Sequence, residues 1–230
     1  AKAYNSRKLL IRGKLDHKDK INLEKMEKAI YRIKNLMLEI PKSKSKDELR
    51  GIEGKIAAEY FSVFDELIVK QREDFYFNGR NKRPPLDRVN ALLSFMYSIL
   101  TNNIAQALEG VGIDSYAGFF HTDRPGRVSM ALDIIEEMRA PIIDRFVLSL
   151  INLNRIDKNK FEVKENGATL LNDKGRNIVL NYWNDKCREE IYHPFIEEKI
   201  PIGLLPHIQA QLLNSYLRGD IESYPPYIRK

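Results

Sequence analysis

The sequence predicts an all-α protein, a multi-helix bundle carrying one small β-hairpin. Apolar residues recur with a period of about 3.6 along most of the chain, as one buried helix face requires. A single stretch, FEVKENGATLL at 161–171, joins strand-forming residues to a hairpin turn, Asn166-Gly167. Strands nowhere alternate with helices as a parallel sheet demands, and there is no internal repeat or low-complexity segment.

The chain opens AKAYNSRKLLIRG, without a methionine and already in helical sequence, which points to a truncated or processed fragment of something longer. After His17, residues Leu23, Met26, Ala29, Ile30, Ile33, Leu36 and Met37 share helical spacing between Lys20 and Ile40, and Pro41 stops that helix. Residues 41–48, PKSKSKDE, then form a polar hinge.

The next helix, LRGIEGKIAAEYFSVFDEL, sets Leu49, Ile56, Tyr60, Phe64 and Leu67 along one arc with Glu53 in its middle. A carboxylate is thus aimed into the core. Burying an unpaired charge is costly, so Glu53 requires a metal, a cationic partner or a raised pKa. Arg139 falls inside the apolar arc of its own helix and is the candidate partner, so metal ligand and buried ion pair stand as equal readings. Gly51 and Gly54 flank Glu53 and leave room for a backbone or a substrate to come close.

Residues 75–88, FYFNGRNKRPPLDR, interleave aromatic and basic side chains, which can stack on bases and grip phosphates through Arg80, Lys82 and Arg83. A surface loop without a ligand would look much the same. Leu86 to Leu108 reads as a long helix, apolar nearly all round, which predicts a central position. Asn90, Ser94 and Tyr97 share one of its faces, lining a cavity or bonding between helices.

The stretch His121 to Phe146 concentrates the candidate chemistry. Val128, Leu132, Ile135, Ile142 and Phe146 lie on one arc, Glu136 sits at its edge, and Asp133 and Glu137 lie further round. His121 closes the apolar run YAGFFH, and Arg124 and Arg127 arrive just before the helix. A histidine, carboxylates and two arginines thus crowd one helix end. Acidic residues in early helical turns also simply favour the dipole, and a histidine after aromatics is often a packed core residue. Further on, Asp173 to Lys199 and Gly203 to Leu217 read as two more helices, the first stopped by Pro201, with an irregular tail SYPPYIRK.

With 230 residues, 43% of them hydrophobic, the chain can bury a substantial core. The lone Cys187 excludes a disulfide framework and a CxxC metal site and points to a reducing compartment. No apolar run approaches the roughly 18 residues of a membrane span and no signal peptide opens the chain, so a cytoplasmic, membrane-free protein is expected. The net charge of +6 is uneven: residues 1–50 carry +8 and the remainder −2. Such asymmetry suits a polyanion, and nucleic acid ahead of a lipid surface.

Glu53, His121 and Glu136 come from three elements, each at the border of an apolar face. Oxygen and imidazole donors together suit Mg²⁺ or Mn²⁺ better than a structural zinc, and one such ion can polarise a phosphoryl oxygen and acidify a bound hydroxyl. The signatures of a phosphate-binding P-loop, a zinc protease and a serine hydrolase are all missing.

The runs LRGIEGKIAAEYF, NKRPPLDRVNALLSFMYSIL, GFFHTDRPGRVSMALDIIEEMR and HPFIEEKIPIGLLPHIQAQLLNSYLRGDIESYPPY closely resemble the C-terminal helical domain of the universal CRISPR-associated adaptation integrase, in its type I-C form. The resemblance covers essentially the whole chain. It implies that Glu53 of the G-x-E-G motif, His121 of the G-F-x-H motif and Glu136 bind a divalent metal, Mg²⁺ or Mn²⁺, with Asp133 supporting the site. Many members carry Asp where Glu136 stands. It further implies joining of the 3′ hydroxyls of short DNA to a CRISPR array, cleavage of branched or linear DNA, and a small second adaptation protein as partner. The family's N-terminal β-sandwich, which builds its homodimer, is missing from this sequence. Two readings rival this one: a non-catalytic helical DNA-binding module, with Glu53 paired to Arg139, and a repair nuclease acting on branched DNA.

Overall fold

The computed structural model describes residues 1–81, 83–122 and 124–229. Among them are eight α-helices and two antiparallel two-stranded hairpins, so the helical fold class predicted from the sequence holds and one hairpin more is present. The residues cluster in two compact units: Lys2–Ser94 with Ala140–Val179, and Phe95–Arg139 with Leu180–Lys230 and Ala1.

In the first unit, α1 (Lys2–Asp16), α2 (Leu23–Glu39) and α3 (Lys46–Ser62) bury Leu10, Met26, Ala29, Ile33, Ile56 and Tyr60. The Asn22 side chain accepts the Lys25 amide at 3.0 Å and starts α2, and a 3₁₀ turn through Pro41 ends it. Ser45 caps α3 by accepting the Glu48 amide at 3.1 Å. The link is therefore shorter than the hinge expected at 41–48, because Ser45 and Glu48 have the spacing of a capping box. Gly13 is needed where it stands: a Cβ there would meet Leu67 Cδ2 at 2.1 Å.

After α3, Tyr60, Phe61, Phe64 and Phe77 form a ring cluster with centroids 5.0 to 5.8 Å apart. The Tyr60 hydroxyl donates to buried Asp144 at 2.7 Å. The irregular segment that follows is pinned by side chains. Asn152 donates to the Leu67 carbonyl at 2.8 Å and accepts the Val69 amide at 2.9 Å, and Gln71 donates to the carbonyls of Ile151 and Ile156. Strands β1 (Phe161–Val163) and β2 (Thr169–Leu171) pair with Phe161 opposite Leu171, around the expected Asn166-Gly167 turn, where Gly167 has a φ of 78°.

Helix α4 (Arg88–Gly110) begins in the first unit and continues in the second. The stretch expected as one helix through Phe146 is interrupted. Helices α5 (Ser129–Met138) and α6 (Arg145–Asn152) are joined by a π-helical turn, Arg139–Asp144. Pro141 within it has no amide to donate, and the wider turn accommodates its ring. A single helical wheel therefore loses its phase at Arg139, although Ile135, Ile142 and Phe146 are buried as expected.

The second unit also corrects the helix expected from Asp173 to Lys199. Helix α7 (Asp173–Arg188) ends early, and strands β3 (Glu190–His193) and β4 (Glu198–Pro201) pair before α8 (Leu205–Leu217). Residues 190–193 alternate exposed and buried, which is the strand period, and Pro194 cannot continue a helix. Glu197 completes the turn with a φ of 58°. No described helix is long and apolar enough to cross a membrane.

Phe64 is fully buried at the centre of the ring cluster. Phe64→Ala is expected to cost about 3–5 kcal/mol, read as a shift of the urea unfolding midpoint without a change in the helical circular dichroism of the native state.

Candidate functional site

The start of α5 is built by the loop in front of it. Val128 offers no side-chain cap, and the Met130 amide donates instead to the Ser115 carbonyl at 3.0 Å. Gly118 lets this loop lie against the helix, since a Cβ there would stand 2.6 Å from Ser129 Cβ and 3.1 Å from the His121 carbonyl oxygen. The loop backbone thereby reaches one turn along α5, to Asp133.

Asp133 holds the loop by itself. One carboxylate oxygen accepts the amides of Phe119 and Phe120 at 2.7 and 2.9 Å, and the other accepts the His121 amide at 2.9 Å and lies 2.6 Å from the His121 ring Nδ1. Burial alone would raise its pKa, but the bonds from the His121 ring and the three amides outweigh that and hold it below the usual carboxylate range. The carboxylate is therefore ionised at neutral pH, and Nδ1 of His121 donates to it. That fixes the ring and leaves Nε2 as the nitrogen turned away from Asp133. His121 is about one-fifth exposed, so it is neither a core residue nor a free surface one.

Glu136 lies one turn further along α5. Its Oε1 accepts from Arg139 at 2.8 Å, and the two side chains are only 16% and 15% exposed. The Arg139 guanidinium also stacks on Tyr97 of α4, 4.2 Å from the ring centroid. The partner of Arg139 is thus Glu136, where the sequence proposed Glu53.

Glu53 pairs with Lys2 of α1 and is about one-third exposed. The expectation that it points into the core is corrected. The wheel identified its face properly, but burial along that face starts at Ile56, one turn later. A Cβ added at Gly51 or Gly54 would meet nothing within 4 Å, so the surface beside Glu53 is open.

Among the residues expected to contact DNA, Arg80 has a different task. Its guanidinium donates to the Asn81 carbonyl and Asn90 Oδ1, both at 2.6 Å, and to Ser94 Oγ at 3.0 Å. Those hydrogens are turned inward onto α4, so Arg80 helps hold its loop on that helix. Asn90 and Ser94, which the sequence left open as cavity lining or helix-bridging groups, are its receivers. Arg83 and Arg124 are exposed and Arg127 is half-buried, while Lys82 lies outside the described residues. Arg124 lines an open recess of about 340 Å³ with Asp114, Tyr116, Ala117 and Pro125. The basic first fifty residues are partly balanced internally, through Lys14–Glu27, Lys25–Glu66 and Arg32–Glu59 among other pairs.

Sequence reasoning missed Glu137, placing it on the side away from the core. It is 5% exposed and accepts from Gln209 at 2.8 Å, the Tyr224 hydroxyl at 2.7 Å and the Tyr227 amide at 2.8 Å. Gln209 in turn lies 2.8 Å from Nε2 of buried His193. Burial, opposed by those bonds, leaves Glu137 pushed up to about 7. The signal in the sequence was faint: an irregular tail with two tyrosines around two prolines gives no period from which to infer docking.

Among the described residues, no group of three or more His, Cys, Asp or Glu side chains is gathered as a metal-holding cluster. The fit to a divalent ion rests on donor chemistry. His121 is oriented through Nδ1 by a carboxylate, as metal-binding imidazoles usually are.

The same helical fold occurs in solved structures of other proteins. A casposase bound to integration product superposes with a TM-score of 0.79 over 99% of this chain and 62% of its own, at 23% identity. A CAS1 protein from Thermotoga maritima gives 0.72 over 95% and 67%, at 24% identity. The sequence carries the relationship further. The family profile described as CRISPR associated protein Cas1 matches residues 1–185, and the chain belongs to that family. It is 46% identical over 227 residues to CRISPR-associated endonuclease Cas1 1 of Chlorobaculum tepidum, spanning 99% of this chain and 66% of that protein. With CRISPR-associated endonuclease Cas1 of Leptospira interrogans the identity is 42% over 229 residues, spanning 100% and 90%.

Asp133→Asn is expected to destabilise the protein by about 2 kcal/mol at pH 7, where the ionised carboxylate makes charge-assisted bonds. Because its folded pKa lies below the unfolded one, this stability is fully present above about pH 4 and disappears as pH falls through the folded value. Urea unfolding of both proteins between pH 7 and 3 should show the difference shrinking with acid. Arg80→Met is expected to lose about 2 kcal/mol by the same measurement while DNA affinity at fixed salt changes little; Arg83→Ala should do the reverse.

Proposed function

We propose that the chain is the catalytic helical domain of a CRISPR adaptation integrase and DNA endonuclease of the type I-C form, dependent on Mg²⁺ or Mn²⁺. It would join the 3′ hydroxyl ends of short DNA into the repeat array and cut branched or linear DNA. The observation that carries this reading is the Asp133–His121 arrangement, an imidazole held by an ionised carboxylate with Nε2 presented. A histidine kept only for packing would not need both its amide and its ring nitrogen bonded to one aspartate.

The ligands proposed are Glu53, His121 and Glu136, with Asp133 orienting the imidazole. A divalent ion there would supply Lewis-acid stabilisation of charge on a phosphodiester and a lowered pKa for a hydroxyl. Each protein group has its own part. His121 would offer Nε2, since Nδ1–H is committed to Asp133. Glu53 and Glu136 supply anionic oxygens. The open surface at Gly51 and Gly54 gives a DNA backbone access beside Glu53, a use that accounts for two glycines in a helix where each costs about 1 kcal/mol relative to alanine. Exposed Arg83 and Arg124, with Arg127 and Lys82, would neutralise phosphates.

The partners proposed are DNA, a second copy of the full-length protein, and a small second adaptation protein, in the cytoplasm. A structure titled Cas6-RT-Cas1--Cas2 complex, matching at a TM-score of 0.82 and 22% identity over 24% of its chain, is consistent with that last partner. The alternative, a non-catalytic DNA-binding module, draws on one fact: both ligand carboxylates have an internal cation, Lys2 for Glu53 and Arg139 for Glu136.

His121→Ala and Glu53→Gln are expected to lower Mn²⁺-dependent nicking and strand transfer by about a hundredfold, the upper end of the scale for losing support of a metal centre, with the native fold retained and any stability loss held to about 2 kcal/mol. Wild-type-like turnover in either purified variant would remove the metal assignment, and a wild-type protein that binds DNA but never nicks it with any divalent ion would leave the binding-module reading.

A further inference from the structure

Glu137 is the one carboxyl group of α5 that the chemistry proposed above leaves unused, and it is buried. Its two oxygens accept three hydrogen bonds, all from α8 or the tail that follows it. The Gln209 side-chain amide and the Tyr224 hydroxyl reach Oε1 at 2.8 and 2.7 Å, and the Tyr227 backbone amide reaches Oε2 at 2.8 Å. The tail is held at further points around this group. Gln209 also donates to the Tyr224 hydroxyl at 2.7 Å, and fully buried Tyr227 sets its ring 5.8 Å from that of His193. Since the Gln209 nitrogen is engaged as a donor, its oxygen accepts from Nε2 of His193 at 2.8 Å. One network thus runs from β3 through α8 and the tail to α5.

A tail held only by packing would need no buried carboxyl group. Apolar side chains of similar volume often hold a segment as well or better, because a desolvated carboxyl must recover its lost hydration through hydrogen bonds. What those bonds add is direction, since they form only within a narrow range of distance and angle. Asp133 and Glu137 are four residues apart and so share one face of α5, one turn from each other. Asp133 fastens residues 119–121 to that face, and Glu137 fastens residues 224–227. Two non-helical segments are therefore tied to one stripe of a ten-residue helix. On the reading of the site given above, on which this inference rests, we propose that Glu137 is a positioning residue. By tying the tail to α5 it holds the helix against rotation, and so sets where Asp133 places His121 and where Glu136 points. The tail, remote in sequence from every proposed ligand, is then part of the catalytic unit.

The test follows two imidazole protons by NMR in the full chain, without metal or DNA. The Nδ1 proton of His121 and the Nε2 proton of His193 are both held in hydrogen bonds and should resonate far downfield, the first identified by its loss in H121A. E137L and Y224F each remove a bond to the tail. Both should weaken the His193 signal, and broaden or shift that of His121 with it. In Mn²⁺-dependent nicking both should lower kcat about tenfold, within the range for groups that orient metal ligands, with KM for DNA unchanged. F64A is the control for stability alone: it weakens the core of the other compact unit and should leave both signals in place. Y224F removes a single hydroxyl and serves if the leucine disturbs folding. A His193 signal unmoved by either variant, or a His121 signal or kcat that stays as in wild type when the His193 signal changes, overturns the inference and leaves the metal reading standing. If wild type nicks DNA with no divalent ion, the metal reading fails, while joint loss of the two signals still upholds Glu137 as the residue that positions His121.

Discussion

The candidate site depends on one carboxylate, that of Asp133. Its two oxygens collect three backbone amides and an imidazole, and so decide where residues 119–121 lie and which nitrogen of His121 faces outward. Phe119 is exposed and contributes no anchoring burial, and Gly118 is what permits the backbone to come so near α5. The loop's order is thus electrostatic in origin, a buried anion surrounded by donors, where a hydrophobic contact would have left the imidazole free to turn.

Three carboxylates within five residues of α5 show how little residue type alone decides. Asp133 is kept ionised by hydrogen bonds. Glu136 is matched to a stacked guanidinium. Glu137, adjacent in sequence, is enclosed by α8 and the tail and is pushed up to about 7. Each outcome follows from what faces the side chain: amides, a cation, or a desolvated polar network. The polar face of α4 likewise meets arginines at two heights, Arg80 at Asn90 and Ser94 and Arg139 at Tyr97, so residues that read as exceptions in an apolar helix are docking points for cations that would otherwise be costly to cover.

The motifs that matter were legible because their chemistry is local. G-x-E-G and G-F-x-H stand out as short patterns, and the Asn166-Gly167 turn and the Ser45 cap announce themselves by side-chain type. The readings that changed depended on neighbours remote in sequence. Glu53 lies on the apolar face of α3, yet the core does not reach that level of the helix. Arg80 looked like a phosphate contact because its loop is basic, and only the fold brings it onto Asn90. The hairpin at 190–201 was hidden by a charged run, EEIYHPFIEEKIP, whose alternation is short and broken by a proline.

By itself the sequence determined the helical class, the order of most elements, the family and the candidate ligands, because periodicity, caps and short motifs are written in consecutive residues. Tertiary structure alone decided which cation each carboxylate meets, which arginine serves the scaffold, how His121 is turned and that Glu137 is buried. The reason is physical. Protonation, pairing and exposure are set by groups within a few ångströms, and in this chain those groups come from as near as three residues, Arg139 at Glu136, and as far as ninety, Tyr227 at Glu137.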